Sequence, residues 1–234
     1  MEALETFAFS GIVGMNDTSE VDYVENYLYG INIDEHKKHW KTINNLNHKY
    51  IMSCTTLEDD LTFWRLYGDD FKGASLEMEI VDSSCQNEKI NFSNYVIKHV
   101  HYSSKNGKDS ILEFFKTLIN HVYTKTGLTL IFRDMDTWKH FFKPHEYAVE
   151  KEMRVFYKGN KSDDRRWNLT YTHDILNPFV LIRMNETPLK LTTLCLGKKS
   201  SGFSTNEYQF KQLIREKNLH HQIKVVVSDI CNYR

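Results

Sequence analysis

The stretch that decides the fold runs from Pro144 to Tyr157 and reads PHEYAVEKEMRVFY. Its second half is rich in β-branched and aromatic residues, which are typical of a strand. Side chains two residues apart in an extended chain share one face. We therefore expect Glu150, Glu152 and Arg154 to project together from a short strand.

This row of two carboxylates and a guanidinium has two interpretations. The simpler one is an exposed strand face with cross-strand ion pairs, each worth about 0–1 kcal/mol. The other is a catalytic row, in which a carboxylate stabilises a developing oxocarbenium ion or holds a ribose hydroxyl. Such a carboxylate needs a rigid strand and a neighbouring cation to fix its geometry.

The composition indicates one large domain, or one domain with an insertion. The chain has 234 residues, of which 41% are hydrophobic, and this is enough to bury a sizeable core. With 10 Gly and 3 Pro, no long flexible linker is expected. We predict a single domain over residues 1–234, with a helical N-terminal part at about 18–48 and a possible insertion at about 103–142.

Charge and cysteine usage exclude several classes of protein. The formal net charge is −1, from 30 basic and 31 acidic residues, which argues against a strongly basic nucleic-acid binder. The four cysteines are far apart and form no C-x-x-C pair, and no H-E-x-x-H occurs, so no metal site is predicted. Without a signal peptide or an apolar run of membrane-spanning length, the chain is expected to be cytoplasmic, with no membrane partner.

Hydrophobic periodicity predicts an α+β fold, with a strand-rich mixed or antiparallel core sheet and helices packed on it. Two capping boxes are expected, Ser110 with Glu113 and Ser204 with Glu207. Helices are predicted at 19–29, 34–46, 58–67, 110–126, about 133–141 and about 205–217. Strands are predicted at 50–53, 74–80, 95–102, through the Glu-rich stretch, and at 179–183, 191–196 and 223–227.

A second group of candidate residues follows the strand at 50–53. Ser53 and Thr55 can reach one face there, where hydroxyl groups would bond a ribose or a carboxylate side chain. The alternative is an ordinary strand-to-turn transition over residues 54–56, because Ser and Thr are common in turns.

Two further segments each have a structural and a functional interpretation. In the segment from Asp59 to Gly68, Trp64 is expected to anchor the core, or else to form an aromatic wall with Arg65 facing a phosphate. The segment Gly197–Gly202 lacks P-loop spacing and is expected to be a turn before a helix, whose N-terminus could hold an anion.

Several fragments taken together resemble a large bacterial family of unknown function. Their order and spacing match over nearly the whole chain, while each fragment alone is short. They are Met15-Asn16-Asp17, Ser53-Cys54-Thr55, Trp64-Arg65-x-Tyr67-Gly68, Lys72-Gly73-Ala74-Ser75-Leu76, the run from Phe142 through Glu150-x-Glu152-x-Arg154, and the closing Ser228-Asp229-Ile230-Cys231-Asn232-Tyr233-Arg234.

The layout of that family resembles the toxin-like branch of the ADP-ribosyltransferases, and the resemblance implies a similar fold with NAD as substrate. Glu152 would be the catalytic glutamate and Glu150 would orient the acceptor. The remaining residues would bind or support the cofactor: Ser53 and Thr55 beside Glu152, Tyr67 or Tyr147 stacked on nicotinamide, and Arg154 or Arg65 at the pyrophosphate. This is an inference from fold-level analogy.

The resemblance implies an NAD-consuming transferase or glycohydrolase that acts as an effector or toxin in bacterial conflict or phage defence. Its acceptor would be a protein or a nucleic acid, and its partner an antitoxin or another defence-system protein.

Two other functions stay open. One is a metal-dependent nuclease using Glu77, Glu79, Glu150 and Lys151 with Mg²⁺, although Lys151 directly follows Glu150 and the usual Glu-x-Lys spacing fails. The other is a non-catalytic binding or regulatory module of the same fold. It is suggested by the lack of His or Arg before Met15, where the family pattern carries an adenosine-side residue.

Overall fold

The computed structural model describes residues 4–12, 18–30, 48–82, 90–159, 167–172, 175–219 and 221–230. The chain divides into two compact units. The first unit comprises Met1–Phe7, Leu57–Phe92 and Ile182–Arg234, and the second comprises Ala8–Thr56 and Ser93–Leu181. The prediction of a single domain over residues 1–234 stays a prediction.

The fold is a mixed α+β arrangement of strand-rich, largely antiparallel sheets with several helices, as the periodicity predicted. The strands are β1 (Thr6–Gly11), β2 (Lys49–Thr55), β3 (Ala74–Ile80), β4 (Tyr95–His99), β5 (His101–Tyr102), β6 (Phe142–Lys143), β7 (Glu152–Lys158), β8 (Trp167–Thr172), β9 (Ile175–Arg183), β10 (Leu189–Leu196) and β11 (Lys224–Val227). The helices are α1 (Thr18–Tyr29), α2 (Leu61–Leu66), α3 (Ser110–Thr126), α4 (Met135–Trp138) and α5 (Phe203–Glu216), with short 3₁₀ turns at Phe92–Asn94, Lys139–Phe141, His145–Glu150 and Met184–Glu186.

The six-stranded sheet belongs to the second unit, apart from the ends of β1 and β9, and has the order β4-β7-β2-β1-β9-β8. β7 is an interior strand that pairs antiparallel with β2 on one side and β4 on the other. Val155 and Phe156 of β7 are fully buried. Tyr157 packs against Tyr50 and Tyr95, which lie opposite it in register. Burial on both faces makes β7 a rigid support for the residues at its start.

Helices α1, α3 and α4 share a hydrophobic cluster in the second unit. Its buried members are Val24, Leu28, Tyr29, Leu112, Ile119, Met135 and Phe142. Phe142 belongs to β6, the strand that carries Lys143, so this cluster fixes α1 and β6 relative to each other. The two elements contribute neighbouring charges to the site described below.

In the first unit a three-stranded sheet has the order β11-β10-β3. β10 pairs antiparallel with β3, with a register shift between Leu191 and Thr193, and parallel with β11. Trp64 of α2 is 3% exposed, lies 5.1 Å from the Phe71 ring and donates its indole N–H to Asp59 at 2.7 Å. Trp64 is therefore a core anchor.

The structure corrects two predicted elements. The turn expected at residues 54–56 is wrong, because β2 continues through Cys54 and Thr55 in register with β7. The Glu-rich stretch is not one strand, since His145–Glu150 is a 3₁₀ turn and Lys151 adopts a left-handed conformation (φ 46°) before β7 begins. Strands β1, β6 and β8 were not predicted, and the helix predicted at 34–46 lies outside the described residues.

Both predicted capping boxes are wrong in their capping residue. Asp109, one residue before Ser110, caps α3, and its carboxylate accepts hydrogen bonds from the N–H groups of Ile111 and Leu112 at 3.0 Å. The N-cap of α5 is Gly202, without a side-chain hydrogen bond. Gly127 ends α3 in a left-handed conformation (φ 70°).

None of the helices in the described ranges combines the length and the hydrophobicity that a membrane-spanning helix needs.

The cap of α3 gives a direct stability test. Asp109 is 1% exposed and also lies 3.1 Å from His101 Nε2, so Asp109→Ala removes two capping bonds from a buried site. We expect the free energy of unfolding in urea to fall by about 1–2 kcal/mol. The control is Ser110→Ala, which we expect to change it by less than about 0.5 kcal/mol. Equal losses from the two variants would contradict this assignment of the cap.

Candidate active site

Arg154 is the centre of the site and is 2% exposed. Its Nε donates to Glu152 Oε1 at 2.6 Å, and its Nη2 donates to Glu152 Oε2 at 3.1 Å and to Glu20 Oε2 at 2.7 Å. Its Nη1 donates to the backbone oxygen of His140 at 2.5 Å. Glu152 itself is 4% exposed, so the interpretation of this row as an exposed strand face is wrong.

Glu152 and Arg154 share a face of β7, as the strand period predicted, but Glu150 does not belong to the strand. The left-handed residue Lys151 ends the 3₁₀ turn and redirects the chain before β7. Glu150 nevertheless reaches the site from this turn, because Lys143 Nζ donates to its Oε2 at 2.9 Å.

Lys143 joins the three carboxylates of the site. Its ammonium lies 2.8 Å from Glu20 Oε1 and 2.9 Å from both Glu150 Oε2 and Glu152 Oε2. Its side chain is 6% exposed, and the ammonium also lies 4.9 Å from the centre of the Tyr147 ring, within cation–π range. Lys143 therefore links α1, the 145–150 turn and β7.

We call Glu20, Lys143, Glu150, Glu152 and Arg154 the charge cluster. It holds three carboxylates and two cations, so one net negative charge remains. Burying an ion costs several kcal/mol even after relaxation, and this cost is offset only by close, well-oriented partners. A buried cluster with unequal numbers of opposite charges is thus a candidate for binding or catalysis as well as for structure.

Strands β2 and β5 complete the surroundings of Glu152. Thr55 lies opposite Glu152 in register, and its hydroxyl donates to the backbone oxygen of Glu150 at 2.8 Å. The hydroxyl of Ser53 hydrogen-bonds to the Glu152 carboxylate. Tyr102 of β5 accepts the backbone N–H of Glu152 at 2.8 Å. The structure places both Ser53 and Thr55 beside Glu152, while their predicted role in binding a cofactor stays a prediction.

The contacts within the charge cluster favour the charged forms of Glu152, Lys143 and Arg154. Burial alone would raise the pKa of Glu152, but the hydrogen bonds and charge of Arg154, together with the Ser53 bond, outweigh it and lower the pKa. Burial would lower the pKa of Lys143, and its bonds to Glu20 and Glu152 raise it instead. Burial would also lower the pKa of Arg154, but the hydrogen bonds and charges of Glu152 and Glu20 raise it instead.

The members of the charge cluster differ in their exposure to solvent. The side chain of Glu150 is 21% exposed, compared with 5% for Glu152 and 6% for Lys143. Ser53 is exposed as well, and Tyr147 is half-buried.

A group of buried polar residues adjoins the charge cluster. Lys139 Nζ donates to Glu25 at 2.5 Å, and Lys49 pairs with Asp136. Burial, followed by the charge of Glu152, raises the pKa of the Cys54 thiol to about 11, so this thiol is protonated near neutral pH. The two ion pairs and the protonated thiol carry no net charge, so they do not compensate the net charge of the cluster.

His140 is 1% exposed, and its ring lies 5.9 Å from the ring of Phe156. Burial, followed by the charges of Lys139 and Arg154, lowers its pKa well below the usual 6.5. In the part of the chain that the structure describes, His140 Nε2 has no hydrogen-bond partner. The imidazole is therefore held neutral inside the protein.

Other predicted site residues belong to the first unit. Arg65 lies in α2 and Tyr67 at its C-cap, and both are exposed, Tyr67 by 68%. Glu77 and Glu79 are exposed residues of β3. Arg65 and Tyr67 are not members of the charge cluster, and their predicted contacts with NAD stay predictions.

Sequence reasoning missed Glu20, Lys143 and Tyr102. Glu20 lies 134 residues from Arg154 in sequence, so no local pattern could pair them. One signal was available for Lys143. Two charges, Glu152 and Arg154, open a strand that continues with Val155, Phe156 and Tyr157, and charges on an interior strand require partners from elsewhere.

Within the described ranges, no group of three or more His, Cys, Asp or Glu residues is arranged to hold a metal ion.

Comparison with known proteins gives one family. Residues 63–155 match the model described as "Protein of unknown function (DUF2971)". The match takes in the last four residues of α2, all of β3 and everything from β4 to Val155 of β7, and so includes Lys143, Glu150, Glu152 and Arg154. It covers less than half of the 234 residues and leaves out Glu20, Ser53 and Thr55. Searches of curated proteins and of solved structures gave no match.

The cluster predicts a large effect for Lys143→Met. This change leaves three buried carboxylates with one cation, and we expect the free energy of unfolding at pH 7 to fall by about 3–5 kcal/mol. The Lys143 pKa is raised, so its contribution is fully present at pH 7. The carboxylates left behind bind protons more readily, so the loss should shrink as the pH falls from 7 to about 5.

Urea denaturation across this pH range measures the effect, and Lys151→Met serves as the control because Lys151 is an exposed neighbour in the same segment. A loss of less than about 1 kcal/mol for Lys143→Met would contradict a tightly coupled cluster.

His140 predicts a separate acid sensitivity. Its pKa is lower in the folded state than the unfolded value of 6.5, so below pH 6.5 the unfolded chain binds a proton that the native protein does not. Stability should then fall by up to about 1.4 kcal/mol per pH unit from this group. His140→Phe should remove this slope between about pH 5.5 and 6.5, and His121→Gln, on an exposed position of α3, should leave it intact. An unchanged slope in His140→Phe would refute the assignment.

Proposed function

We propose that the charge cluster is the active site of an NAD-consuming enzyme resembling the ADP-ribosyltransferases. The observation that carries the proposal is a buried glutamate, Glu152, and a partly exposed one, Glu150, both bound to Lys143, whose ammonium lies over the Tyr147 ring. The nicotinamide ring of NAD⁺ is a flat cation before the reaction and a neutral molecule afterwards. A negative site with an aromatic wall suits such a ring.

In the proposed reaction, the bond between the nicotinamide nitrogen and the ribose C1′ breaks, and nicotinamide leaves with the bonding electron pair. Glu152 holds a ribose hydroxyl and stabilises the positive charge that develops on the ribose. Glu150, the more exposed carboxylate, accepts the proton of the nucleophile that attacks C1′. With water as nucleophile the products are ADP-ribose, nicotinamide and a proton, and with a protein or nucleic acid the product is the ADP-ribosylated acceptor.

The other residues of the site have supporting roles in this proposal. Ser53 and Arg154 fix the orientation of Glu152, Thr55 fixes the backbone at Glu150, and Tyr147 stacks on nicotinamide. Because the Arg154 donors are directed to Glu152, Glu20 and His140, we assign this residue to positioning rather than to the pyrophosphate. By the same resemblance, the enzyme would act as an effector or toxin in bacterial conflict or phage defence, with an antitoxin or defence-system protein as its partner.

A non-catalytic module is the second candidate, and one observation favours it. Glu152 is 4% exposed and Arg154 is 2% exposed, so the cluster has the burial of a structural ion network. In that case the site would bind or regulate without consuming NAD⁺.

Nicotinamide release from NAD⁺ by the purified chain in EDTA tests the proposal, with lysate supplied as acceptor. Glu152→Gln should reduce release by about a hundredfold or more. Glu150→Gln should reduce transfer of labelled ADP-ribose to the acceptor more than it reduces nicotinamide release. Glu146→Gln is the matched control, since Glu146 is an exposed glutamate of the same turn, and it should act like the wild type.

Each outcome separates the candidates, provided that circular dichroism shows intact folding of every variant. Release by the wild type and the control, with loss in Glu152→Gln, supports the enzyme. Silence of all four proteins rejects it and favours the non-catalytic module. Cleavage of nucleic acid that appears only when Mg²⁺ replaces EDTA would favour a nuclease.

A further inference from the structure

The first unit exposes a strand whose sequence pattern is that of a half-buried one. β3 reads ASLEMEI, with strict alternation of apolar and polar side chains. Such alternation is typical of a strand that buries one face. Every residue of β3 except Met78 is nevertheless exposed, including Leu76 at 45% and Ile80 at 51%. The alternating sequence thus predicts a buried face that the structure leaves exposed, and a binding partner on this strand would bury that face.

β3 is also an edge strand. It ends the order β11-β10-β3, and β10 is its paired neighbour among the described strands. An edge strand presents backbone N–H and C=O groups to which another extended chain can add. Natural edges are commonly protected by Pro, by charged side chains, by bulges or by a short length; β3 has seven residues and no Pro or Lys, and its protection comes from Glu77, Glu79 and the register shift with β10.

A cavity lies at the start of this edge. Its volume is about 180 Å³, and its lining includes Ala74, Leu196, Phe203 and Phe210. Ala74 and Leu196 are paired in register, so the cavity lies on the face of the sheet that carries Leu76, Met78 and Ile80. Peptides that add to a sheet edge gain affinity from main-chain hydrogen bonds and specificity from pockets for alternate side chains. The edge of β3 supplies the main-chain hydrogen-bonding groups, and this cavity supplies a pocket for a side chain.

The charges on the opposite face favour a basic partner: Glu79 already lies opposite Lys190 of β10, and Glu77 lies opposite Thr193. Glu77 and Glu79 lie two residues apart, are exposed and share the face that the apolar row does not use. In a strand pair, opposite charges across the strands stabilise and like charges destabilise. A second copy of β3 would bring glutamates against glutamates, whereas a segment with lysine or arginine at alternate positions would bring cations against them.

We propose that β3 is a docking edge for an extended protein segment that alternates apolar and basic residues. Its apolar side chains lie beside Leu76 and Ile80, with one in the cavity at Ala74, and its basic side chains lie beside Glu77 and Glu79. The proposal is independent of the proposed NAD chemistry, since it uses only residues of the first unit.

The probe is a fluorescent heptapeptide of alternating valine and lysine, and the comparison peptide has the same composition with all valines before all lysines. Fluorescence anisotropy should show saturable binding of the alternating peptide to the full chain, and amide hydrogen exchange should slow in residues 74–80. Glu77→Lys with Glu79→Lys should weaken binding about tenfold. Glu58→Lys with Glu216→Lys makes the same change of charge at two other exposed positions of this unit and should leave binding unchanged.

Four results would overturn the proposal. These are no binding at millimolar peptide, equal binding of the two peptides, equal weakening by the two double variants, and slowed exchange confined to other segments. Self-association of the chain without peptide, lost in Glu77→Lys with Glu79→Lys, would assign the edge to a second copy and would likewise overturn it.

Discussion

The desolvation of Arg154 is the constraint on which the second unit depends. A guanidinium at 2% exposure is tolerable only if its N–H groups find acceptors, and here Glu152, Glu20 and the His140 backbone provide them. Each acceptor comes from a different element. The position of α1, the turn before β6 and the start of β7 are therefore coupled through one side chain.

Lys143 extends this coupling to the side of the cluster that faces solvent. It satisfies its three N–H donors on Glu20, Glu150 and Glu152, and so connects a nearly inaccessible carboxylate to a partly accessible one. The Glu152 carboxylate is held by Arg154, Lys143 and Ser53 and cannot reorient freely, whereas the Glu150 side chain is 21% exposed. This difference in restraint is what allows two carboxylates in one cluster to take different roles, one fixed and one adaptable.

The sequence predicted elements wherever a local period decides the structure. Helices α1 and α3 and strands β3 and β10 follow from apolar spacing alone. The prediction failed at Cys54 and Thr55, because pairing with β7 overrides their preference for turns. It also failed at Lys151, because the residue type of a lysine does not indicate a left-handed backbone conformation. The sequence predicted that four residues lie close together: Glu150, Glu152, Ser53 and Thr55. It did not indicate Glu20 and Lys143, because only tertiary contacts bring these two residues to the site. β8 could have been predicted, because Trp167, Leu169 and Tyr171 alternate with polar residues.

The contact between Glu20 and Arg154 also bears on the order in which the chain folds. The two residues are 134 positions apart, so the entropy of closing this loop is lost before the ion pair can form. Until α1 reaches the sheet, Arg154 and Glu152 face water, where their attraction is weak. The charge cluster thus stabilises the chain only after the sheet and the helices have assembled. The cluster therefore contributes little to the folding rate and mainly slows unfolding, because its interactions are fully formed only in the native state.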